Sequence, residues 1–231
     1  VNYVCRLDNG DLAAATYRDA ALNPKEKRSS IFLALKNDAP EQIVAGSNPA
    51  PANASTPFDF ADVIKAKLRG GTVGLAPGKR HSITISAKEL PTRPGATLQL
   101  ARVRRRAKEI RMTLEEYRQH TGKAPKVGQD MTIDPAVPGE VIAVEGQEVV
   151  VRFKAPVGEH VETPFGQALV KTDEHAYLLE IEVKKGDLVR SGPMVGRIVD
   201  VKEKTFTIDY GHPLAGKDLK CDVTGERKNN P

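Results

Sequence analysis

The feature that most constrains this chain is an internal repeat in its second half. Residues 139–157 and 196–214 align at a constant offset of 57 without a gap. Three residues are identical in the two copies: Gly139/Gly196, Val144/Val201 and Pro156/Pro213. Each copy has the pattern of a strand, a charged turn, a second strand and a proline turn. The repeat therefore predicts two similar small β units, and the alternative is chance similarity between two short strand pairs.

The amino-terminal half has the pattern of strands around a short helix. Apolar residues alternate over 1–7, which is typical of a half-buried strand, and residues 8–10 (Asp-Asn-Gly) predict a turn. The chain then returns as a second strand over 12–17. Apolar residues at helical spacing predict a helix over 58–68, which the glycine pair 70–71 ends.

Three further segments have clear local signals. The composition of residues 46–57 predicts a loop, and the alternation over 81–86 predicts a strand. Thr113 and Glu116 form a capping box, which predicts a helix that runs to about residue 120 and ends at Gly122.

The chain has a formal net charge of +5, and much of its basic character lies in the run Arg102–Arg111. We interpret this run as the solvated face of a helix. Nucleic-acid binding is the alternative, but no nucleic-acid motif accompanies the run and no aromatic residue is interleaved to stack on bases. We therefore expect no nucleic-acid partner. No run of 18 apolar residues is present, so we expect no membrane span.

Cofactor chemistry has little support in the sequence. The chain has only two cysteines, too few for a zinc site, and no histidine follows Asp222. We expect no metal and no other cofactor. The chain begins at Val1 rather than Met, which is compatible with removal of a targeting segment, and we favour an extracytoplasmic location over the cytoplasm.

The segment 205–223 predicts a strand, a tight Gly-His-Pro turn and a second strand. It resembles the closing segment of the FKBP-type peptidyl-prolyl isomerases, especially the SlyD-like branch, in which a His-Pro-Leu-Ala-Gly turn precedes the last core strand. Residues 185–216 resemble the insert-in-flap β domain of that branch. Residues 126–158 resemble a second, diverged copy of the same domain.

The resemblance implies an α+β fold that is mainly β. An FKBP-like antiparallel sheet would wrap on a short helix, with residues 1–94 and 207–231 as its discontinuous body. Residues 95–206 would be an insert that contains a helix and two insert-in-flap-like β units, at about 126–158 and 185–206. In this arrangement the first and last strands of the chain are neighbours.

The resemblance also implies a pocket that binds proline-containing polypeptide, or another unfolded chain, without a metal or a nucleophile. Four family positions of that pocket are changed here: Ala13-Ala14 replaces a Phe-Asp pair, no Trp is available for the floor, Cys221 replaces a Phe, and Phe165 replaces a Tyr. We therefore expect weak isomerase and chaperone activity. The alternative is a catalytically inactive FKBP-like module that binds or assembles with a specific protein partner. The residues expected to line the pocket are Tyr3, Val63, Ile64, Phe165, Tyr210, His212 and Leu214.

The FKBP arrangement has one consequence for the cysteines. Because Cys5 and Cys221 would lie on neighbouring strands, it permits a disulfide between the two ends of the chain. The alternative is a pair of buried thiols that act as small apolar groups.

Overall fold

The structure is a computed structural model that describes residues 1–16, 23–33, 43, 45–46 and 59–225. The chain divides into two compact units. The first unit comprises residues 1–98, 185–200 and 207–231, and the second comprises residues 99–184 and 201–206. Most of the predicted 46–57 loop lies outside the described residues, as does the last residue of the predicted 12–17 strand.

The described residues form a mainly β fold with two α-helices. The helices are α1 (Phe60–Gly71) and α2 (Leu114–Thr121), and a short 3₁₀ helix covers Ala87–Glu89. The strands are β1 (Asn2–Arg6), β2 (Leu12–Ala15), β3 (Arg28–Leu33), β4 (Arg80–Ile85), β5 (Thr97–Ala101), β6 (Val103–Ala107), β7 (Glu109–Thr113), β8 (Asp130–Asp134), β9 (Val137–Glu145), β10 (Glu148–Phe153), β11 (His160–Thr163), β12 (Gly166–Thr172), β13 (Ala176–Ile181), β14 (Leu188–Ser191), β15 (Met194–Val201), β16 (Thr205–Asp209) and β17 (Leu219–Thr224).

The first unit contains a five-stranded sheet in the order β3-β2-β1-β17-β4. Strand β1 pairs antiparallel with β17, so that Tyr3 lies opposite Val223 and Cys5 lies opposite Cys221. The expectation that the first and last strands are neighbours is therefore confirmed. Strands β1 and β2 are antiparallel, β17 and β4 are antiparallel, and β2 and β3 are parallel.

Helix α1 supplies the other side of the core of this unit. It begins after Asp59, whose carboxylate accepts hydrogen bonds from the backbone N–H groups of the next turn. Its buried residues recur at helical spacing and join the residues of β1 and β17 in one apolar cluster. They are Phe60, Val63, Ile64 and Leu68. The predicted helix over 58–68 is thus present and extends to Gly71, and residue 58 lies outside the described residues.

Residues 185–200 belong to the first unit, although we expected them in the insert. The physical reason is local packing. Val195 lies in the apolar cluster, the Ser30 hydroxyl donates to the carbonyl of Leu188, and Phe60 N–H donates to the carbonyl of Pro193.

Three further sheets follow one plan, in the orders β7-β10-β9-β8, β6-β13-β12-β11 and β5-β16-β15-β14. Each contains three consecutive strands, called a meander below, and one short strand from the segment 97–113. The predicted strand–turn–strand repeat is confirmed, and the structure adds a third copy at about 158–183. Equivalent backbone bonds, each 2.8 Å, mark the three copies: Phe153 N to Lys108 O, Ile181 N to Arg102 O, and Tyr210 N to Ala96 O.

Glycines at equivalent positions of two meanders have the same packing role. A Cβ at Gly139 would lie 2.7 Å from Phe153 Cδ1, and one at Gly196 would lie 2.8 Å from Tyr210 Cδ1. The third copy has Ala168 at this position, opposite Ile181. Glycine is therefore needed beside the Phe153 ring at 139, and at 196 beside the Tyr210 ring and the Asp209 carbonyl, while alanine fits at 168.

The interpretation of Arg102–Arg111 as a helix face is wrong. Most of this run lies in strands β6 and β7, which pair antiparallel with β13 and β10. Edges of existing sheets supply hydrogen-bond partners along each short strand, and this outweighs any helical preference of the run. The predicted helix after Thr113 is present as α2, with its capping box and with Gly122 in the left-handed conformation.

Candidate functional site

The Gly211–Gly216 turn between β16 and β17 is held by several hydrogen bonds. Gly211 N–H donates to the Asp209 carboxylate (2.7 Å), and Arg93 N–H donates to the Gly211 carbonyl (2.7 Å). A Cβ at position 211 would lie 2.5 Å from the Arg93 carbonyl oxygen, so only glycine fits there. Ala215 is the one described non-glycine residue with a positive φ, 51°. The turn therefore holds a costly backbone conformation through contacts with a distant segment.

His212 fixes the turn through both nitrogens of its ring. Its Nδ1 accepts a hydrogen bond from Leu214 N–H at 2.9 Å, and its Nε2 lies 3.0 Å from the Ala87 carbonyl oxygen. One nitrogen accepts and the other donates, so the hydrogen bonds assign the neutral Nε2–H tautomer. The ring joins the turn to the 3₁₀ helix, which is a positioning role.

A hollow of about 280 Å³ opens beside this turn. Two exposed guanidinium groups, Arg93 and Arg197, lie on it together with the carboxylate of Asp209. The rest of the lining is largely backbone from the turn and from residues 92–97. Backbone groups and a mixed set of charges are suited to bind a polypeptide main chain.

Four of the predicted pocket residues come together, but inside the core. Tyr3, Val63, Ile64 and Leu214 belong to one buried cluster, and Ile64 and Leu214 have no exposed surface. None of the four lines the hollow beside the Gly211–Gly216 turn. These four side chains pack in the core between the sheet and helix α1.

The remaining predicted residues occupy different places. Tyr210 is buried at the end of β16, and burial raises the pKa of its phenol. His212 lines the hollow beside the turn. Phe165 belongs to the second unit, where its ring packs edge-to-face on Phe206 with a centroid separation of 5.8 Å.

A disulfide joins Cys5 and Cys221 across β1 and β17. Both residues are buried in the same apolar cluster as Tyr3 and Ile64. The cysteines therefore form the disulfide and not the alternative pair of buried thiols. The bond fixes the register between β1, which contains Tyr3, and β17, which contains Val223.

Sequence reasoning missed the residues that hold the turn from outside. Ala87 and Arg93 act through backbone atoms, and neither belongs to a motif. Their role arises only from the tertiary pairing of residues 87–96 with the turn. No sequence signal marks them apart from the prolines at 91 and 94.

Comparison of the chain with known protein families and with curated proteins found no match in either. Within the described residues, no cluster of His, Cys, Asp and Glu side chains has an arrangement that could hold a metal ion. Among the described helices, none is both long enough and hydrophobic enough to span a membrane.

Proposed function

We propose that the first unit is an FKBP-type peptidyl-prolyl isomerase body that binds proline-containing segments of unfolded polypeptide and has weak isomerase activity. One observation carries the proposal. The two ends of the chain pair in one sheet against helix α1, and the Gly-His-Pro turn lies immediately before the last strand. This arrangement is the one that the sequence resemblance implies.

Isomerisation of a prolyl bond requires no nucleophile or metal. The barrier of about 18–20 kcal/mol reflects amide resonance, and it falls when a dry pocket favours the twisted amide over the planar one. Each gain of about 1.4 kcal/mol accelerates rotation tenfold. The hydrogen-bonded turn offers backbone groups for the substrate chain, and Pro94 in the lining of the adjoining hollow offers apolar surface for the proline ring.

A second candidate is a catalytically inactive FKBP-like module that binds a specific protein partner. Burial favours it, because Tyr3, Ile64 and Leu214 are each no more than 1% exposed and have no surface for a ring to contact. The two candidates share binding and differ in catalysis.

The test is the refolding of a reduced, carboxymethylated ribonuclease whose rate is limited by prolyl isomerisation. We expect the protein to accelerate this phase at micromolar concentration, and Tyr210→Phe, which removes the buried hydroxyl of the residue directly before the turn, to reduce the effect. Tyr117→Phe is the matched control, because Tyr117 is a buried tyrosine of the second unit and should leave the rate unchanged.

Binding is measured in parallel by fluorescence anisotropy of a labelled, permanently unfolded chain that contains proline. Binding without acceleration would select the inactive module. Absence of both would refute the proposed function.

A further inference from the structure

The second unit contains a hollow of about 400 Å³ that the proposed prolyl site does not use. We call it the tip hollow, because the turns at the tips of two meanders, residues 133–135 and 162–164, form two of its walls. The third wall is strand β6, through Arg104 and Arg106. The volume is in the range of sites that bind small ligands or single side chains.

One of the two arginines forms a close ion pair with Asp134. Arg106 donates from Nε (3.0 Å) and from a terminal nitrogen (2.9 Å) to Oδ2 of Asp134. The other oxygen of Asp134 accepts from Ala136 N–H at 3.1 Å. Asp134 is well shielded, with 12% of its side chain exposed. Its charge is therefore matched by the guanidinium of Arg106.

Arg104 is left without an equivalent partner. Its nearest carboxylate oxygen, Oδ2 of Asp134, is 3.9 Å away, which is beyond hydrogen-bond distance. Its side chain donates no hydrogen bond to any residue in the part of the chain that the structure describes. Its side chain is 33% exposed, so water reaches only part of it. The hollow is thus lined by a guanidinium whose donors make no hydrogen bond to the described residues.

The rim of the tip hollow is apolar. Ile133 is 47% exposed, and Pro135 and Pro164 are also exposed. Thr163 adds no free donor, because its hydroxyl donates to the Gly166 carbonyl and accepts from Phe165 N–H. An exposed aliphatic side chain beside two prolines offers apolar surface to a neighbouring side chain of a ligand.

We propose that the tip hollow binds an acidic side chain of a polypeptide segment, with an aliphatic residue next to it in that segment. The carboxylate accepts two hydrogen bonds from Arg104, and the aliphatic side chain packs on Ile133 and the two prolines. This binding goes beyond the prolyl site and does not depend on it, since every residue named here lies in the second unit.

The formal charges that line the tip hollow favour a ligand with one negative charge over a ligand with two. The formal charges of Arg104, Arg106, Asp134 and Glu162 cancel. Glu162 is exposed and accepts a hydrogen bond from the Gln167 side-chain amide at 3.1 Å. A dianion such as a phosphate monoester would meet two carboxylates, whereas a single carboxylate meets the one guanidinium whose bonds are unmade.

The experiment uses the full chain and two fluorescein-labelled peptides, acetyl-Gly-Leu-Asp-Leu-Gly-Lys and the same sequence with Asn at the centre. Anisotropy should give at least tenfold tighter binding of the Asp peptide, as expected for bidentate charged hydrogen bonds. Arg104→Gln should remove this difference, and Arg104→Lys should keep part of it. Glu162→Gln should strengthen binding of the Asp peptide, because it removes the opposing negative charge.

Arg105→Gln is the matched control. Arg105 is the next residue on β6, it points to the opposite face by strand alternation, and it pairs with Asp173. It should change the affinity less than twofold. Circular dichroism and the thermal midpoint show that each variant is folded.

Several results would overturn the proposal. These are equal affinities for the Asp and Asn peptides, no binding by the unaltered chain, and equal losses in Arg104→Gln and Arg105→Gln. Displacement of the peptide by 10 mM acetate alone would also overturn it, because the site would then select a small anion and not a polypeptide segment.

Discussion

Removal of the disulfide between Cys5 and Cys221 tests the pairing of the two chain ends directly. The bond spans a sequence separation of 216 residues. In the unfolded-chain entropy model, closing a loop of this length stabilises the folded state by about 5 kcal/mol. The Cys5→Ala/Cys221→Ala variant also loses two buried sulfur atoms, which costs about 1 kcal/mol each. We expect the free energy of unfolding of the first unit to fall by about 5–7 kcal/mol.

The expected loss hardly depends on whether the second unit unfolds at the same time. Loop entropy varies with the logarithm of length, so halving the loop changes the result by only about 0.6 kcal/mol. The assay is urea unfolding, followed by circular dichroism, of the oxidised chain, the reduced chain and the variant. Reduction alone should cost about 5 kcal/mol and bring the unaltered chain close to the variant.

Two results would contradict this reasoning. One is a difference below about 2 kcal/mol between the oxidised chain and the variant. The other is mass spectrometry that finds two free thiols in protein purified under oxidising conditions.

Three further predictions concern single positions. His212→Ala should lower the free energy of unfolding by about 1–3 kcal/mol, because it removes both side-chain bonds that hold the turn; an unchanged urea midpoint would contradict this. Gly139→Ala should cost about 1–3 kcal/mol through contact with the Phe153 ring, and adding Phe153→Ile should recover more than half of the loss, as a double-mutant cycle can measure. The Ser82 hydroxyl, followed by the Arg80 guanidinium, lowers the pKa of Asp222. Its carboxylate therefore stabilises the folded state above the ordinary aspartate pKa of about 3.9, and this stability is lost as the pH falls through the lower folded-state pKa. Asp222→Asn should accordingly be less stable than the unaltered chain at pH 7 and equal to it at the most acidic pH, and a difference that grows with acidity would refute the assignment.

Local sequence signals accounted for a large part of the fold. The alternation at 1–7, the spacing of apolar residues before Gly70 and the capping box of Thr113 and Glu116 each predicted the element that forms there. These signals work because a strand with one buried face, an amphipathic helix and a capped helix end depend on residues within one or two turns of each other.

The candidate site was harder to predict, because its parts meet only in three dimensions. The Gly-His-Pro sequence marked the turn, and a histidine in a turn is visible in any sequence. Which atoms its ring would bond was not visible, since Ala87 lies 125 residues away. The burial of the predicted pocket residues also depends on contacts between distant segments. Tyr3 and Ile64 were expected in a pocket by position, and the packing of α1 on the sheet decided that they are enclosed.

The alternation of apolar residues in the sequence by itself predicted several of the strands, and the offset repeat predicted that two of the β units are alike. Only the tertiary structure revealed the third meander, the strands formed by the basic run 102–111 and the carboxylates that pair with the arginines of that run. The physical reason is that Arg104–Arg106 offer no buried face of their own. A strand of this kind forms only where the edge of another sheet satisfies its backbone and carboxylates such as Asp134 and Asp173 meet its charges.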